Sequence, residues 1–353
     1  MGSAEAPKDI YGAGKESGTL VSGEASVNIS GHAALYGNVY GGGEKGTAGS
    51  SAVTLESGSS VTGNVFGGGN QADTTGTVKV DLQTDSKVAG YNETTGRVYG
   101  GPNNTGTVSG MITMNVAGSA VNVFGGGEGE GTSAAGGTSI TLSPGAAVSV
   151  NVYGGGNAGS VTNTGIRLNG GSVLGNVFGG GNKAGADSTS VETSSAASVT
   201  GNIYGGSNDE GAITGTAAVT VTGNGSGAAN IFGGGFGPKT SAAATSVTAA
   251  SGSQFTGTLY GGGEQGSVAN SQIILKDGST VLDVFGGGSK ADVTSSAVIT
   301  ADTDSGARNL YGGSINIKYR MVIDIYICDT AMNHQTNRCL IHCYFRIQRI
   351  TWT

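Results

Sequence analysis

The chain has 353 residues, of which 12% are charged and 70 are glycine, and its net charge at pH 7 is −7. An acidic chain with so few Lys and Arg lacks the clustered positive charge that binding to nucleic acid or to an anionic membrane surface requires. No run of about 20 apolar residues predicts a transmembrane helix, so we expect no membrane insertion.

The chain begins with MGSAEAPKDI, which contains no apolar segment of the kind found in a secretory signal. Two interpretations of this start are open. Either the protein is cytosolic, or the chain is a fragment of a longer protein whose start lies upstream.

An aromatic residue followed by glycines recurs along residues 1–313, as in GNVFGGGN at 63–70 and again at 175–182. We call this pattern the aromatic box, and successive boxes are 25 to 33 residues apart. From the second box onward the aromatic residue alternates between Tyr and Phe, which indicates a paired unit of about 54 residues. The twelve boxes centre on Tyr11, Tyr40, Phe66, Tyr99, Phe124, Tyr153, Phe178, Tyr204, Phe232, Tyr260, Phe285 and Tyr311.

Each half of the paired unit contains two strand-like pieces. Segments such as TVKVDL (77–82) and MITMNV (111–116) alternate apolar and polar residues, which is typical of half-buried strands. The second piece is the aromatic box with the residues that lead into it. Gly, Ser, Asn, Asp and Thr separate the pieces, and no helical period runs through residues 1–313. The sequence therefore predicts an all-β fold.

Many short strands at regular spacing predict a sandwich, a propeller or a solenoid. We predict a repetitive parallel β-solenoid (β-helix), because stacked coils need only a narrow core of small and medium side chains. A coil of about 27 residues would stack Tyr on Phe, whereas a wide coil of about 54 residues would stack Tyr on Tyr and Phe on Phe. The remaining alternative is a β-propeller with blades of about 54 residues; such blades resemble Kelch blades but lack their tryptophan.

The residues around the aromatic box predict contacts between coils. Asn stands two positions before the aromatic residue in eight boxes, and in a stacked fold these side chains would form an amide ladder. GGGEKG (41–46) matches the dinucleotide pattern G-x-G-x-x-G, but no helix follows it. We therefore assign the glycines to packing between coils and predict no cofactor. The eight asparagines are Asn38, Asn64, Asn122, Asn151, Asn176, Asn202, Asn230 and Asn309.

The tyrosines of the boxes form one candidate ligand face. A column of tyrosines could stack on sugar rings, and the alternative is that the rings pack in the wall with their hydroxyls reaching solvent or a backbone carbonyl. Within NVY, Val and Tyr point to opposite faces of a strand, so one of the two leaves the inner face. The candidate face consists of Tyr40, Tyr99, Tyr153, Tyr204 and Tyr260.

Acidic residues after the boxes are the other candidates for chemistry, since some β-helix enzymes cleave polysaccharides with paired carboxylates. These residues recur along the repeats instead of clustering, which favours a solvated edge column. His32 is the single histidine of the repeats, so a histidine base is lacking. We predict no enzymatic activity and no metal site for the acidic residues Glu44, Glu128, Asp209, Glu210 and Glu264.

Residues 314–353 differ from the repeats, because from Ile315 onward they contain no glycine but hold all three Cys and the single Trp. The change comes directly after NLYGGS, in the middle of a repeat. We interpret this tail as the product of a frameshift, a fusion or read-through, and the repeat domain as residues 1–313. The alternative is a small cap with a metal site, for which the spacing is a weak match. Its candidate ligands are Cys328, His334, Cys339, His342 and Cys343.

Tandem NVYGGG and NVFGGG boxes on an acidic, cysteine-free background rich in Gly, Ser, Thr and Ala resemble the repeat regions of bacterial cell-surface, adhesin-like proteins. The resemblance covers about residues 1–313. It implies a secreted or cell-surface location and a structural or adhesive role, with a glycan or a host or cell-surface protein as the partner. The alternatives are a β-helix carbohydrate-active enzyme and a spacer that binds no ligand.

Overall fold

The computed structural model describes residues 3, 6–90 and 94–314, and the backbone of 323–333 and 338–345. It confirms the predicted parallel β-solenoid, with one aromatic box in each turn. Val39–Tyr40 pairs in register with Val65–Phe66, which pairs in turn with Val98 and Tyr99. The coil is therefore the short one, and from Tyr40 onward Tyr stacks on Phe; the wide coil and the propeller are both wrong.

The aromatic boxes form one continuous parallel sheet of twelve strands, which we call the aromatic sheet. Each strand ends at its aromatic residue because glycines follow at once. The strands are Ile10–Tyr11, Val39–Tyr40, Val65–Phe66, Arg97–Tyr99, Asn122–Phe124, Val152–Tyr153, Val177–Phe178, Ile203–Tyr204, Asn230–Phe232, Gln254–Tyr260, Thr280–Phe285 and Gly306–Tyr311.

The alternating segments form a second parallel sheet, which we call the long sheet. Its apolar residues point inward at every second position, and polar residues point outward between them. Its parallel strands within the repeats are Leu20–Ile29, Thr47–Leu55, Val78–Leu82, Ile112–Val116, Thr138–Leu142, Asn163–Leu168, Ser188–Glu192, Glu210–Val221, Lys239–Ala249, Ser267–Leu275 and Val293–Ala301.

Two smaller parallel sheets complete the wall of the solenoid. A three-stranded sheet contains Thr105–Val108, Gly131–Ala134 and Ser160–Val161. The short sheet contains Ala34–Leu35, Ser60–Val61, Lys87–Val88, Ser119–Ala120, Ala147–Val148, Gly171–Val173 and Ala197–Val199. A 3-10 turn, Gly225–Gly227, lies at the corner that follows Glu210–Val221.

The main core is a column of aliphatic side chains that runs through the coils. One coil contributes Ile112, Met114 and Val116 from the long sheet, Ala120 from the short sheet and Val123 from the aromatic sheet, all buried. The same positions in neighbouring coils lie above and below them, so each side chain contacts its equivalents. This arrangement explains why the sequence needs few large apolar residues.

The coil that ends at Tyr99 is the longest, and its additional residues fall in the sequence between the strands Lys87–Val88 and Arg97–Tyr99. Within this interval Gly90 and Gly96 have φ of 65° and 79°, which glycine adopts without strain. Arg97–Tyr99 nevertheless pairs in register with the strands of both neighbouring coils. The added length therefore leaves the sheets undisturbed.

Beyond the repeats, the backbone of Ile323–Asn333 pairs parallel with Val293–Ala301. Arg338–Phe345 then pairs antiparallel with Ile323–Asn333. Our interpretation of residues 314–353 as a foreign tail stays a prediction. His334, one of the candidate metal ligands, lies outside the described residues. So do the side chains of the other candidates, Cys328, Cys339, His342 and Cys343.

Candidate functional site: the aromatic ladder and the outer surfaces

The aromatic side chains of the boxes stack into one column, which we call the aromatic ladder. Successive rings are nearly parallel, with interplanar angles between 2° and 12°. Their centroids are separated by between 4.5 and 5.3 Å. This separation follows from the pairing of neighbouring strands, which are about 4.8 Å apart. The ladder runs through all twelve box residues from Tyr11 to Tyr311.

The ladder is a second core outside the first. Val152 points into the aliphatic core, and Tyr153 points to the opposite face of the same strand, as the period-two pattern predicts. Both residues are nonetheless buried. Leaving the inner face of the sheet therefore does not bring the aromatic side chain into solvent.

The five tyrosines proposed as a ligand face lie within this second core. Tyr40, Tyr99, Tyr153 and Tyr204 have no more than 4% of their surface exposed, and Tyr260 has 8%. Each ring is covered on both faces by its neighbours in the ladder, so no ring face is open to a sugar. Burial is the main cause that raises the pKa of all five hydroxyls.

The tyrosine hydroxyls have polar partners at the edge of the ladder. Asn151 Nδ2 donates to the hydroxyl of Tyr153 at 3.0 Å, from the position two residues before the ring. Other partners come from the glycine turn of a coil two turns away: Asn103 Nδ2 donates to the Tyr40 hydroxyl at 3.3 Å. This bond spans an intervening Phe coil. The missing hydroxyl of Phe leaves the space for it, which gives the Tyr and Phe alternation a physical basis.

Seven of the eight predicted asparagines form a ladder between coils, but with a different partner, while Asn309 donates to Asp283 Oδ1 at 2.6 Å. Asn176 Oδ1 accepts the backbone N–H of Asn202 at 2.8 Å, and Asn151 Oδ1 accepts that of Asn176 at 2.7 Å. The side-chain carbonyl thus takes the place of a backbone acceptor where the chain bends into the aromatic sheet. Equivalent bonds join Asn38 to Asn64, Asn64 to Arg97, Asn122 to Asn151, and Asn202 to Asn230.

A second amide ladder, which the sequence analysis did not predict, follows the glycines. Asn182 Nδ2 donates to Asn157 Oδ1, and Asn208 Nδ2 donates to Asn182 Oδ1, both at 2.7 Å. Asn157 in turn donates to Glu128 Oε1 at 3.2 Å. The sequence contained a signal for this second ladder, because Asn or Glu recurs four residues after the ring.

Three of the acidic candidates have partners within this framework. Glu264 accepts the Tyr204 hydroxyl at 2.7 Å and pairs with Lys290 at 3.1 Å. Glu128 lies 3.8 Å from Arg97, and Glu210 lies 3.7 Å from Lys239. Glu44 is half-buried and Asp209 is exposed. Among the described residues, no group of three or more His, Cys, Asp or Glu could hold a metal ion.

The glycines of the box allow the backbones of successive coils to approach closely. A Cβ at Gly154 would lie 2.2 Å from the carbonyl oxygen of Gly179, in the next coil. A Cβ at Gly68 would lie 2.9 Å from Pro102 N. Neither glycine has a φ in the left-handed region, so close approach of the backbone and not φ imposes glycine here.

Buried hydroxyls, also unanticipated from the sequence, tie the long sheet to the glycine turns. Thr189 Oγ1 donates to the carbonyl of Gly205 at 2.6 Å, and Thr164 Oγ1 donates to that of Gly179 at 2.6 Å. Both threonines occupy an inward position at which a strand pattern predicts an apolar residue. Their hydroxyls satisfy carbonyls that would otherwise be buried without a partner.

The outer side of the long sheet is a regular polar surface. Thr113 pairs with Ser139 and Asn115 with Thr141 across neighbouring strands, and all four lie on the outward side. Some of these side chains bond along the column, as Asn115 does to Asp81 at 2.9 Å. Small polar side chains thus recur in rows along the solenoid.

A comparison of the chain with protein-family models, curated proteins and solved structures finds no match. In the part of the chain that the structure describes, no helix is long and apolar enough to cross a bilayer.

Proposed function

We propose that this chain is the rigid repeat region of a bacterial surface or secreted protein, with a structural and adhesive role. The observation that carries the proposal is the repeated polar outer surface of the long sheet. Because strands in register are about 4.8 Å apart, this surface presents outward side chains, most of them polar, at each step along the axis. A polymer or a large protein surface could contact many such steps at once, and many weak contacts then add.

The proposed ligand is a glycan or a host or cell-surface protein. Hydroxyl and amide groups such as those of Thr113 and Gln272 can donate and accept hydrogen bonds to sugar hydroxyls or to a polar protein surface. The aromatic ladder supports this role from within by holding the coils at a fixed separation. Resemblance to adhesin-like repeats supports the extracellular location.

The test measures binding of the purified chain to a glycan array and to intact cells. The face variant carries Thr113→Lys and Gln272→Lys, two exposed positions on the outer side of the long sheet. The matched control carries Ala147→Lys and Ser198→Lys, which are also exposed but belong to the short sheet. We expect the original chain and the control to bind, and the face variant to lose binding.

Equal loss in both variants would reject the long sheet as the binding face. Absence of binding to any glycan or cell would reject adhesion and leave a spacer role. The location is tested separately, by labelling intact producing cells with an antibody against the repeats. Labelling only after lysis would reject the surface assignment.

A further inference from the structure

Tyr204 of the aromatic ladder hydrogen-bonds to a carboxylate. Its hydroxyl donates to Glu264 Oε2 at 2.7 Å and accepts from Asn202 Nδ2 at 3.0 Å. The residue is 1% exposed. A phenol with a carboxylate at this distance can lose an electron and a proton together, because the base accepts the proton as the electron leaves.

We propose that Tyr204 and Glu264 form a buried redox site that gives up an electron to one-electron oxidants outside the protein, such as oxyl radicals. In this step the oxidant gains one electron, the O–H bond of Tyr204 breaks, and the proton forms an O–H bond on Glu264. The products are a neutral tyrosyl radical, a protonated Glu264 and the reduced oxidant. This activity is independent of the proposed adhesive function.

The surroundings of Tyr204 favour a long-lived radical. Phe178 and Phe232 cover its two faces with centroids 4.9 Å away, and Phe236 packs against it edge-on at 5.8 Å. Phenylalanine is harder to oxidise than tyrosine, so the unpaired electron stays on Tyr204. The same rings keep a second tyrosyl radical from coupling with it.

The ladder connects this buried site to the solvent. Tyr311, at the C-terminal end of the ladder, is 49% exposed. From Tyr311, the ring centroids follow at 4.6 Å to Phe285, 5.3 Å to Tyr260, 4.6 Å to Phe232 and 4.9 Å to Tyr204. An electron can leave along this stack without the oxidant having to enter the protein.

Two other tyrosines of the ladder provide contrasts within the same fold. The Tyr153 hydroxyl accepts from Asn151, and an amide does not take up a proton as a carboxylate does. The Tyr99 hydroxyl lies 3.4 Å from Arg97, whose positive charge opposes the loss of an electron. The carboxylate partner therefore distinguishes Tyr204 from Tyr153. Tyr99 also has a carboxylate beside it, that of Glu128, but Arg97 donates to the Tyr99 hydroxyl itself, whereas Lys290 contacts the Glu264 oxygen that Tyr204 does not use.

The experiment oxidises the full chain with photogenerated tris(bipyridine)ruthenium(III) and follows the tyrosyl radical by EPR. We expect a persistent signal that Tyr204→Phe abolishes. Glu264→Gln keeps the shape of the side chain but removes the base, and it should slow radical formation by about 100-fold. Tyr153→Phe, the matched control, should retain the signal.

An unchanged rate in Glu264→Gln, or equal loss in Tyr153→Phe and Tyr204→Phe, would overturn the proposal. Circular dichroism of each variant checks that it is folded. A further measurement needs no variant: the persistent signal of the original chain should form more slowly in D₂O, because an O–H bond breaks in the step. Equal rates in H₂O and D₂O would also overturn the proposal.

Discussion

Truncation of one ring of the ladder is the most direct test of the second core. Phe178 is 0% exposed, and its centroid lies 5.1 Å from Tyr153 and 4.9 Å from Tyr204. Removal of a buried Phe ring costs about 3–5 kcal/mol, depending on how far the surroundings collapse. Here the strand pairing holds the two neighbouring rings apart, so the cavity persists. We expect Phe178→Ala to lower the free energy of unfolding by about 4–5 kcal/mol, the upper part of that range.

Phe178→Leu separates stacking from burial. Leucine fills most of the volume but forms no stacked pair, and each of the two lost pairs is worth about 0.5–1.5 kcal/mol. We therefore expect a loss of about 1–3 kcal/mol from this control. The free energy of unfolding is measured by guanidinium denaturation followed by circular dichroism, with calorimetry to test whether the array unfolds in one transition. A loss under about 1 kcal/mol for Phe178→Ala would refute the second core.

Four further predictions concern the other contacts between coils. Gly154→Ala should cost about 1–3 kcal/mol because its Cβ would meet the Gly179 carbonyl, whereas Gly23→Ala, with nothing within 4 Å, should cost far less in the same denaturation assay. Thr189→Val should cost about 1–3 kcal/mol, since the buried carbonyl of Gly205 loses its donor; an unchanged midpoint would contradict this. Asn176→Ala should destabilise more than Asn176→Asp, which keeps the acceptor for the Asn202 N–H; equal losses would reject the ladder. Burial, with smaller contributions from Asp9 and Glu44, raises the pKa of Tyr11 to about 12. Burial also raises the pKa of Tyr40, Tyr99, Tyr153, Tyr204 and Tyr260. These tyrosines therefore lose their protons more easily in the unfolded chain than in the folded one. The free energy of unfolding should be constant with pH up to about pH 10 and fall above it. Tyr204→Phe should make this fall smaller, as measured by denaturation midpoints above about pH 10.

The sequence was sufficient for the fold class because its signals are local and repeated. Alternation in segments such as 111–116 identifies strands, and the spacing of the boxes identifies coils. The coil length was not decided in the same way, since the Tyr and Phe alternation fits two stacking arrangements equally well. Only the pairing of Tyr40 with Phe66 distinguishes them.

The chemistry of the ladder was less predictable. The period-two rule places Tyr153 outside the inner face, but it does not reveal that neighbouring rings and polar ladders enclose it. Glu264 and Tyr204 are 60 residues apart, and their contact depends on the register of the one coil that lies between them. Thr189 follows the strand pattern at an inward position, and only the nearby Gly205 carbonyl explains its hydroxyl.

The interval between Gly90 and Gly96 has a consequence for engineering. The longest coil returns to register at Arg97–Tyr99 although its neighbours are shorter, so the sheets tolerate additional residues between Lys87–Val88 and Arg97–Tyr99. Foreign peptides inserted in such intervals should be displayed at the side of the rod while the stack beneath keeps its spacing. Epitopes or binding loops inserted in different coils would thus be separated by a chosen multiple of the spacing between coils.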